Sequence, residues 1–240
     1  MNEPYYQDDH ATLYMGDCRD VLPGLEPADL IVTDPPYGVE FRSNRRADRF
    51  DFIAEDDDPT GIASLVGEAI RSNLKRYRHA YVFGPLDFSP LVTAGIVQEP
   101  MALIWDKAVL GMGNLALPWA SQHEDIQFMV AVKSKANVGK GEGRLAARLR
   151  RGSILSHQRP HAAGVSRHPT EKPVPLLREL IESSSCFGET VLDPFVGSGS
   201  TLVAATIEGR KSVGIELEEK YCEIAALRLS KIAATMKAAA

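Results

Sequence analysis

The sequence predicts an α/β fold in which one sheet is built largely by alternation of strands and helices. Short apolar runs rich in β-branched residues recur along the chain, and longer stretches with helical apolar spacing lie between them. Two of the apolar runs pass directly into Pro- or Gly-rich turns, Asp34 to Gly38 and Asp193 to Thr201. Together these features are the signature of strand–helix alternation around a central sheet.

Seven strands are expected: Thr12 to Tyr14, Asp29 to Thr33, Ala80 to Phe83, Ala102 to Trp105, Gln127 to Val132, Thr190 to Leu192 and Ser212 to Ile215. Helices are expected over Pro59 to Arg78, Pro85 to Gln98, Pro173 to Ser184, Ser200 to Glu208 and Glu218 to Ala234. The first of these carries Ile62, Leu65, Val66, Ala69 and Ile70 at the spacing of one buried helix face. The third opens on a residue suited to capping, Thr170, with Pro173 in the first turn. Asn137 to Arg167 is rich in Gly and Arg and has little apolar periodicity outside Leu145 to Leu149, so it reads as an insertion riding on the sheet. The chain is then a single domain, 1–240, with a basic insertion at 133–167.

Composition narrows the function classes. The 240 residues are 44% hydrophobic and 25% charged, which excludes wholesale disorder and collagen-like character. No uncharged apolar run approaches the ~20 residues needed to cross a bilayer, and Met1 to His10 is acidic and polar, so a cytoplasmic protein without a membrane partner is expected. Cys18, Cys186 and Cys222 are too few and too widely spaced for a disulfide framework or a Cys-x-x-Cys site. His157, His161 and His168 make a poor zinc set, because Pro160 interrupts helical spacing and no cysteine is near; no metal is expected. The net charge of -5 is unevenly spread. Between Lys133 and Arg167 stand nine Lys/Arg against one acid, Glu142, leaving the rest of the chain at -13. Such a window is either a solvated loop or an electrostatic footprint for nucleic acid. Arg42, Arg45, Arg46 and Arg49 form a second basic cluster, offset by Asp56, Asp57 and Asp58.

Three motifs carry the chemistry. Asp34-Pro35-Pro36-Tyr37 follows the strand Leu30-Ile31-Val32-Thr33, beyond whose carboxyl end a ligand would bind in an open α/β sheet. The paired prolines stiffen the turn, so a carboxylate, a carbonyl and an aromatic ring are presented as a rigid group. The same residues also suit a proline-rich strand exit with a capping Asp and a packed Tyr. Asp193 to Thr201 runs from a strand through Gly197 and Gly199 into a helix, and a following strand ends in Glu216, 19 positions after Gly197, where an acid suits ribose hydroxyls. Leu202 stands where a dinucleotide fingerprint needs Gly or Ala, so a nucleoside cofactor without pyrophosphate fits better. His168 to Pro173 opens a helix, and Lys172 at its start is placed to reach a ligand carboxylate.

These motifs, in this order, resemble the β class of S-adenosylmethionine-dependent DNA amino-methyltransferases, which modify adenine N6 or cytosine N4. The resemblance extends over nearly the whole chain and includes Gly16-Asp17-Cys18, Ile104-Trp105-Asp106-Lys107 and His123-Glu124; Ser200 replaces the threonine common in Gly-Ser-Gly-Thr-Thr. It implies a Rossmann-like methyltransferase fold with a mixed seven-stranded sheet, helices on both faces and a circularly permuted motif order. It also implies S-adenosylmethionine as cofactor and double-stranded DNA as partner, and leaves open a homodimer and a restriction endonuclease partner. By resemblance, Asp34, Pro35, Pro36 and Tyr37 would be catalytic. Asp193, Phe195, Gly197, Ser198, Gly199, Ser200 and Thr201 would hold the methionine end of the cofactor, with Thr170 and Lys172 near its carboxylate. Glu216 would hold the ribose, and Asp17 and Cys18 would lie at the adenine. The family's target recognition region coincides with the basic window, so Arg144, Arg148 and Arg151, which share a face if that stretch is helical, are expected on DNA together with Arg42, Arg45 and Arg46.

Asp at position 34 favours adenine N6 by family habit over cytosine N4, which remains the alternative. Cytosine C5 chemistry is disfavoured because no cysteine follows a proline. A DNA-binding regulator that keeps a cofactor pocket without turnover is the reading from another class, and the intact Asp34, Tyr37, Gly197, Gly199 and Glu216 stand against it.

Overall fold

A computed structural model describes residues 3–36, 59–110, 116, 118–132, 151–159 and 171–239. Among these residues nine strands form one mixed sheet. In chain order the elements are β1 (Tyr6–Gln7), β2 (Ala11–Met15), α1 (Cys18–Val21), β3 (Ala28–Thr33), α2 (Pro59–Asn73), β4 (Leu74–Phe83), α3 (Ser89–Thr93), β5 (Met101–Asp106), β6 (His123–Val130), β7 (Ile154–Ser156), α4 (Val174–Ser184), β8 (Thr190–Asp193), α5 (Ser200–Ile207), β9 (Lys211–Glu216) and α6 (Glu219–Ala239). The order across the sheet is β1-β2-β9-β8-β3-β4-β6-β5-β7.

The strands from β2 to β4 in that order are mutually parallel, β6 runs against both β4 and β5, and β7 is parallel to β5. This arrangement decides where a site can form. The carboxyl ends of β2, β9, β8, β3, β4 and β5 and the amino end of β6 all open on the same edge.

All six residues of β3 are buried, as expected of a central strand covered on both faces. Its side chains alternate between two cores. Ile31 packs with Ile62, Val66 and Ile70 of α2 and Leu91 of α3 on one face. Leu30 and Val32 pack with Leu176, Leu177, Leu180 and Ile181 of α4 and Ala204 of α5 on the other. Leu13 of β2 and Leu202 of α5 meet Cys222, Ala225 and Leu229 of α6 in a third cluster. No helix among the described residues is long and apolar enough to cross a membrane.

The sheet has two strands more than the seven expected. Both additions are short edge strands with little apolar signal: β1, antiparallel to β2, and β7, which lies inside the stretch read as an insertion and pairs with β5 through Ile104 and Ile154. Two helices are shorter than their patterns. The first stops at Asn73, whose amide donates to the carbonyls of Leu22 (2.9 Å) and Leu25 (3.2 Å), and the chain continues at once as β4. Lys75 and Arg78, which fall within the expected helix, instead bind Asp29 at the amino edge of the sheet, at 2.8 and 3.1 Å. The second is confined to Ser89–Thr93, with Pro90 in its first turn and Gly95 at φ 68 beyond its end.

Tyr37, Arg42, Arg45, Arg46, Arg49, Arg144, Arg148 and Thr170 lie outside the described residues, as do the helix over Leu145 to Leu149 and most of the basic insertion.

Candidate active site

Parallel pairing of β3 with β8, through Leu30 with Val191 and Ile31 with Leu192, brings together the two carboxylates that the sequence separates by about 160 positions. Asp34 is the first residue beyond β3, and Asp193 is the last of β8. Thr33 Oγ1 donates to Asp193 Oδ1 at 2.7 Å, and the Phe195 backbone N–H donates to the same oxygen at 3.0 Å. Burial pushes the Asp193 carboxyl up to about 7, against hydrogen bonds from Thr201, Thr33 and Phe195, and Asp34 nearby pushes in the same direction. These hydrogen-bonding partners are all neutral, so a cationic ligand would favour the ionised form.

The loop after β8 is shaped by its glycines. Gly197 and Gly199 have φ of 52 and 86. Gly199 caps α5 in a left-handed conformation, and a Cβ there would lie 2.8 Å from Ala225 Cβ. The loop is therefore seated against α6 with no room for a side chain. The start of α5 lines a cleft with Ser198, Ser200 and Thr201, and Asp34, Phe83, Glu171, Lys172, Asp193 and Phe195 complete its wall. Arg228 of α6 ties this rim together: Nη1 donates to the Ser198 carbonyl at 2.7 Å and to Ser200 Oγ at 3.1 Å, while Nη2 lies 2.9 Å from Glu171 Oε1.

Glu216 ends β9 next to Met15 of β2. Its Oε2 accepts the Gly197 N–H at 2.7 Å and its Oε1 the Glu218 N–H at 2.8 Å, and burial raises its pKa. Asp17, two residues beyond β2, caps α1 through the Arg19 N–H at 2.9 Å. The Arg19 side chain holds its carboxyl below the usual range. Cys18 is buried in the core beneath α1.

Lys172 is paired with protein carboxylates at the cleft. Its Nζ is 2.5 Å from Asp34 Oδ2 and 3.3 Å from Glu124 Oε2, and it lies over the Phe83 ring at 5.0 Å. Burial raises the Asp34 pKa; Lys172 opposes this and Glu124 adds to it. Burial likewise works against ionised Glu124, but Lys172 and Lys107 prevail and hold its carboxyl low. Arg151 is bound to α4, through Glu179 at 3.0 Å and Glu182. His157 Nε2 shares Glu179 at 2.7 Å.

The fold thus brings Asp34, Lys172, Asp193, Phe195, Gly197, Ser198, Ser200 and Thr201 around one cleft, with Glu216 and Asp17 at neighbouring strand ends. Thr33, Lys107, Glu124 and Arg228 join them without having been expected there. His123-Glu124 and Asp106-Lys107 were visible as motif positions, whereas Arg228 is one polar residue in an amphipathic helix and carries no sequence signal.

Comparison with known proteins gives the family and the fold. The DNA methylase family matches residues 28–227, and the chain belongs to that family. Among relatives, the type II methyltransferase M2.LlaDCHI of Lactococcus lactis subsp. cremoris is 27% identical over 96% of this chain and 93% of its own length. The DNA adenine methyltransferase YhdJ of Escherichia coli strain K12 is 26% identical over 85% and 76%. Among solved structures, the M1.HpyAVI-SAM complex superposes with a TM-score of 0.68 at 20% identity, over 91% of this chain and 98% of that one. The cytosine-N4-specific PvuII DNA methyltransferase gives 0.68 at 16% identity, over 95% and 89%. The Rossmann-like methyltransferase fold is shared with both.

Proposed function

We propose that the chain is a site-specific DNA methyltransferase that transfers a methyl group from S-adenosylmethionine to adenine N6 by direct in-line transfer onto a flipped base. The observation that carries this reading is the adjacency of Asp34 and Asp193, held by Thr33 in one cleft at the carboxyl edge of the sheet.

The cleft suits the cofactor chemically. When bound, S-adenosylmethionine supplies an electrophilic methyl group on a sulfonium. Asp193, buried among neutral donors, would take the methionine ammonium, and the hydroxyls of Ser198, Ser200 and Thr201 at the start of α5 would take its carboxylate. Glu216 would take the ribose hydroxyls and Asp17 the adenine amine, from the ends of two paired strands.

An exocyclic amine is a weak nucleophile because its lone pair is delocalised into the ring. Asp34 and the Pro35 carbonyl would accept the two amine hydrogens, localising that pair and favouring the positive charge that develops on nitrogen. Tyr37 would stack on the extruded base and offset part of the few kcal/mol of unstacking. Arg144 and Arg148 in the basic insertion, together with Arg42, Arg45 and Arg46, would meet the DNA. Asp34 favours adenine, and the relative named as an adenine methyltransferase supports it. The comparable fold match to a cytosine-N4 enzyme keeps N4 as the second reading.

Nucleoside analysis of duplex DNA treated with the protein and labelled cofactor tests activity and base identity together. N6-methyladenine is expected, N4-methylcytosine would establish the second reading, and binding without transfer would make the chain a regulator. Asp34→Ala is expected to abolish transfer while leaving cofactor affinity within about threefold; retained activity within tenfold of the wild type would remove Asp34 from the chemistry.

A further inference from the structure

The two carboxylate oxygens of Asp34 have unlike surroundings. Oδ2 accepts from Lys172 at 2.5 Å, whereas Oδ1 is buried with no hydrogen-bond partner among the described residues. A buried acceptor in that state is costly unless another group completes it. Lys172 is itself only 5% exposed and is braced from behind. Glu124, at the amino end of β6, lies 3.3 Å from its ammonium; Lys107, just beyond β5, lies 2.7 Å from the other Glu124 oxygen. Charges therefore alternate along Asp34, Lys172, Glu124 and Lys107, each group fixed by a different element. Other charged groups close to the row are Asp193, on the neighbouring strand, and Arg159, 3.6 Å from Glu124.

We propose that Lys172 is a positioning residue for Asp34: by holding Oδ2 in a braced ion pair it leaves Oδ1 as the acceptor for one hydrogen of the target amine. This rests on the function proposed above and assigns the two oxygens separate tasks. Once the nitrogen lone pair has formed the new bond to the methyl carbon and the carbon–sulfur pair has left with sulfur, the amine carries one proton in excess. The electrons of one N–H bond return to nitrogen, and that proton passes to Oδ1 and from there to water. The lysine favours the ionised form of Asp34 against the effect of burial, and its bracing keeps it from following the carboxylate into the cleft.

The experiment compares wild type, Lys172→Met, Lys172→Arg and Glu124→Gln in single-turnover transfer at saturating cofactor across pH 5 to 9, together with cofactor affinity by calorimetry and a carboxyl carbon-13 titration of Asp34. Lys172→Met should transfer at least about 100-fold more slowly with cofactor affinity changed less than threefold. Its acidic limb and the Asp34 titration should both move to higher pH by about one unit or more, because an opposite charge has been removed. Glu124→Gln should move both to lower pH, and Lys172→Arg should recover at least tenfold of the lost rate. A general loss of structure would not give shifts of opposite sign. The proposal is overturned if Lys172→Met transfers within threefold of wild type, if Asp34 titrates unchanged, or if cofactor affinity falls more than tenfold while transfer from the bound state is unaltered, which would make Lys172 a cofactor ligand. The Asp34 titration needs no turnover, so an inactive wild type would defeat the proposed function and still leave the ion pair measurable.

Discussion

Replacing Asp193 by Asn should make the protein more stable at alkaline pH relative to wild type, and the size of the effect follows from the carboxyl's position. Asp193 is buried, and its pKa rises from 3.8 to about 7 on folding. The folded state therefore holds a proton that the unfolded state has already released, and the contribution to stability falls as pH rises from about 4 to 7. Between pH 5 and 8.5 the loss spans roughly two pH units, or about 2 to 3 kcal/mol at 1.36 kcal/mol per unit. Asparagine keeps an oxygen to accept from Thr33 and removes the titration. Urea unfolding of both proteins at the two pH values isolates this residue, since Asp34 and Glu216, also raised by burial, are common to both. For a chain of this size the difference corresponds to about 5 to 10 °C in melting temperature. An equal pH dependence in the two proteins, within about 0.5 kcal/mol, would show that Asp193 carries no buried titration.

Three further outcomes are expected. Glu216→Ala should weaken S-adenosylmethionine binding by roughly 1 to 3 kcal/mol, the range for loss of a charged hydrogen-bond partner; calorimetry giving an unchanged affinity would remove it from the ribose. Gly199→Ala should destabilise the fold by about 2 to 5 kcal/mol, combining a left-handed backbone with a Cβ 2.8 Å from Ala225 Cβ, and a denaturant midpoint equal to wild type would contradict that close approach. In a salt titration of DNA binding, Arg144→Ala and Arg148→Ala should each reduce the log-log slope by about one, whereas Arg151→Ala, whose partners are Glu179 and Glu182, should leave it unchanged. The reverse pattern would put Arg151 on the phosphates.

The central strands and the cleft were legible because their residues answer to local rules. β3 is an uninterrupted apolar run, the glycine loop announces a strand–helix turn, and Asp34 and Asp193 stand at strand ends where a sheet of this kind opens. What escaped depends on partners remote in sequence. The end of α2 is set by Asn73 reaching the carbonyls of Leu22 and Leu25, about 50 positions earlier, and no property of Lys75 to Arg78 distinguishes a polar helix face from a strand whose cations bind Asp29. Lys172 was legible as a residue of this cleft, but its ion pair with Asp34 was not. Its motif locates it at the start of α4, whereas its pairing with Asp34 and Glu124 depends on β3 and β6, strands remote from it in sequence.

The join between β3 and β8 also bears on how the protein reaches its working form. Thr33 and Asp193 are 160 positions apart, and β2 pairs with β9 across about 200. At ~5 to 20 residues per second, a ribosome would add the missing neighbour of β3 roughly 10 to 30 s after β3 itself. Throughout that interval a strand destined to be buried at all six residues lacks its partner on one side. Contacts this distant are slow to form, because loop closure must precede any gain from pairing. No fragment ending before Asp193 can contain the cleft.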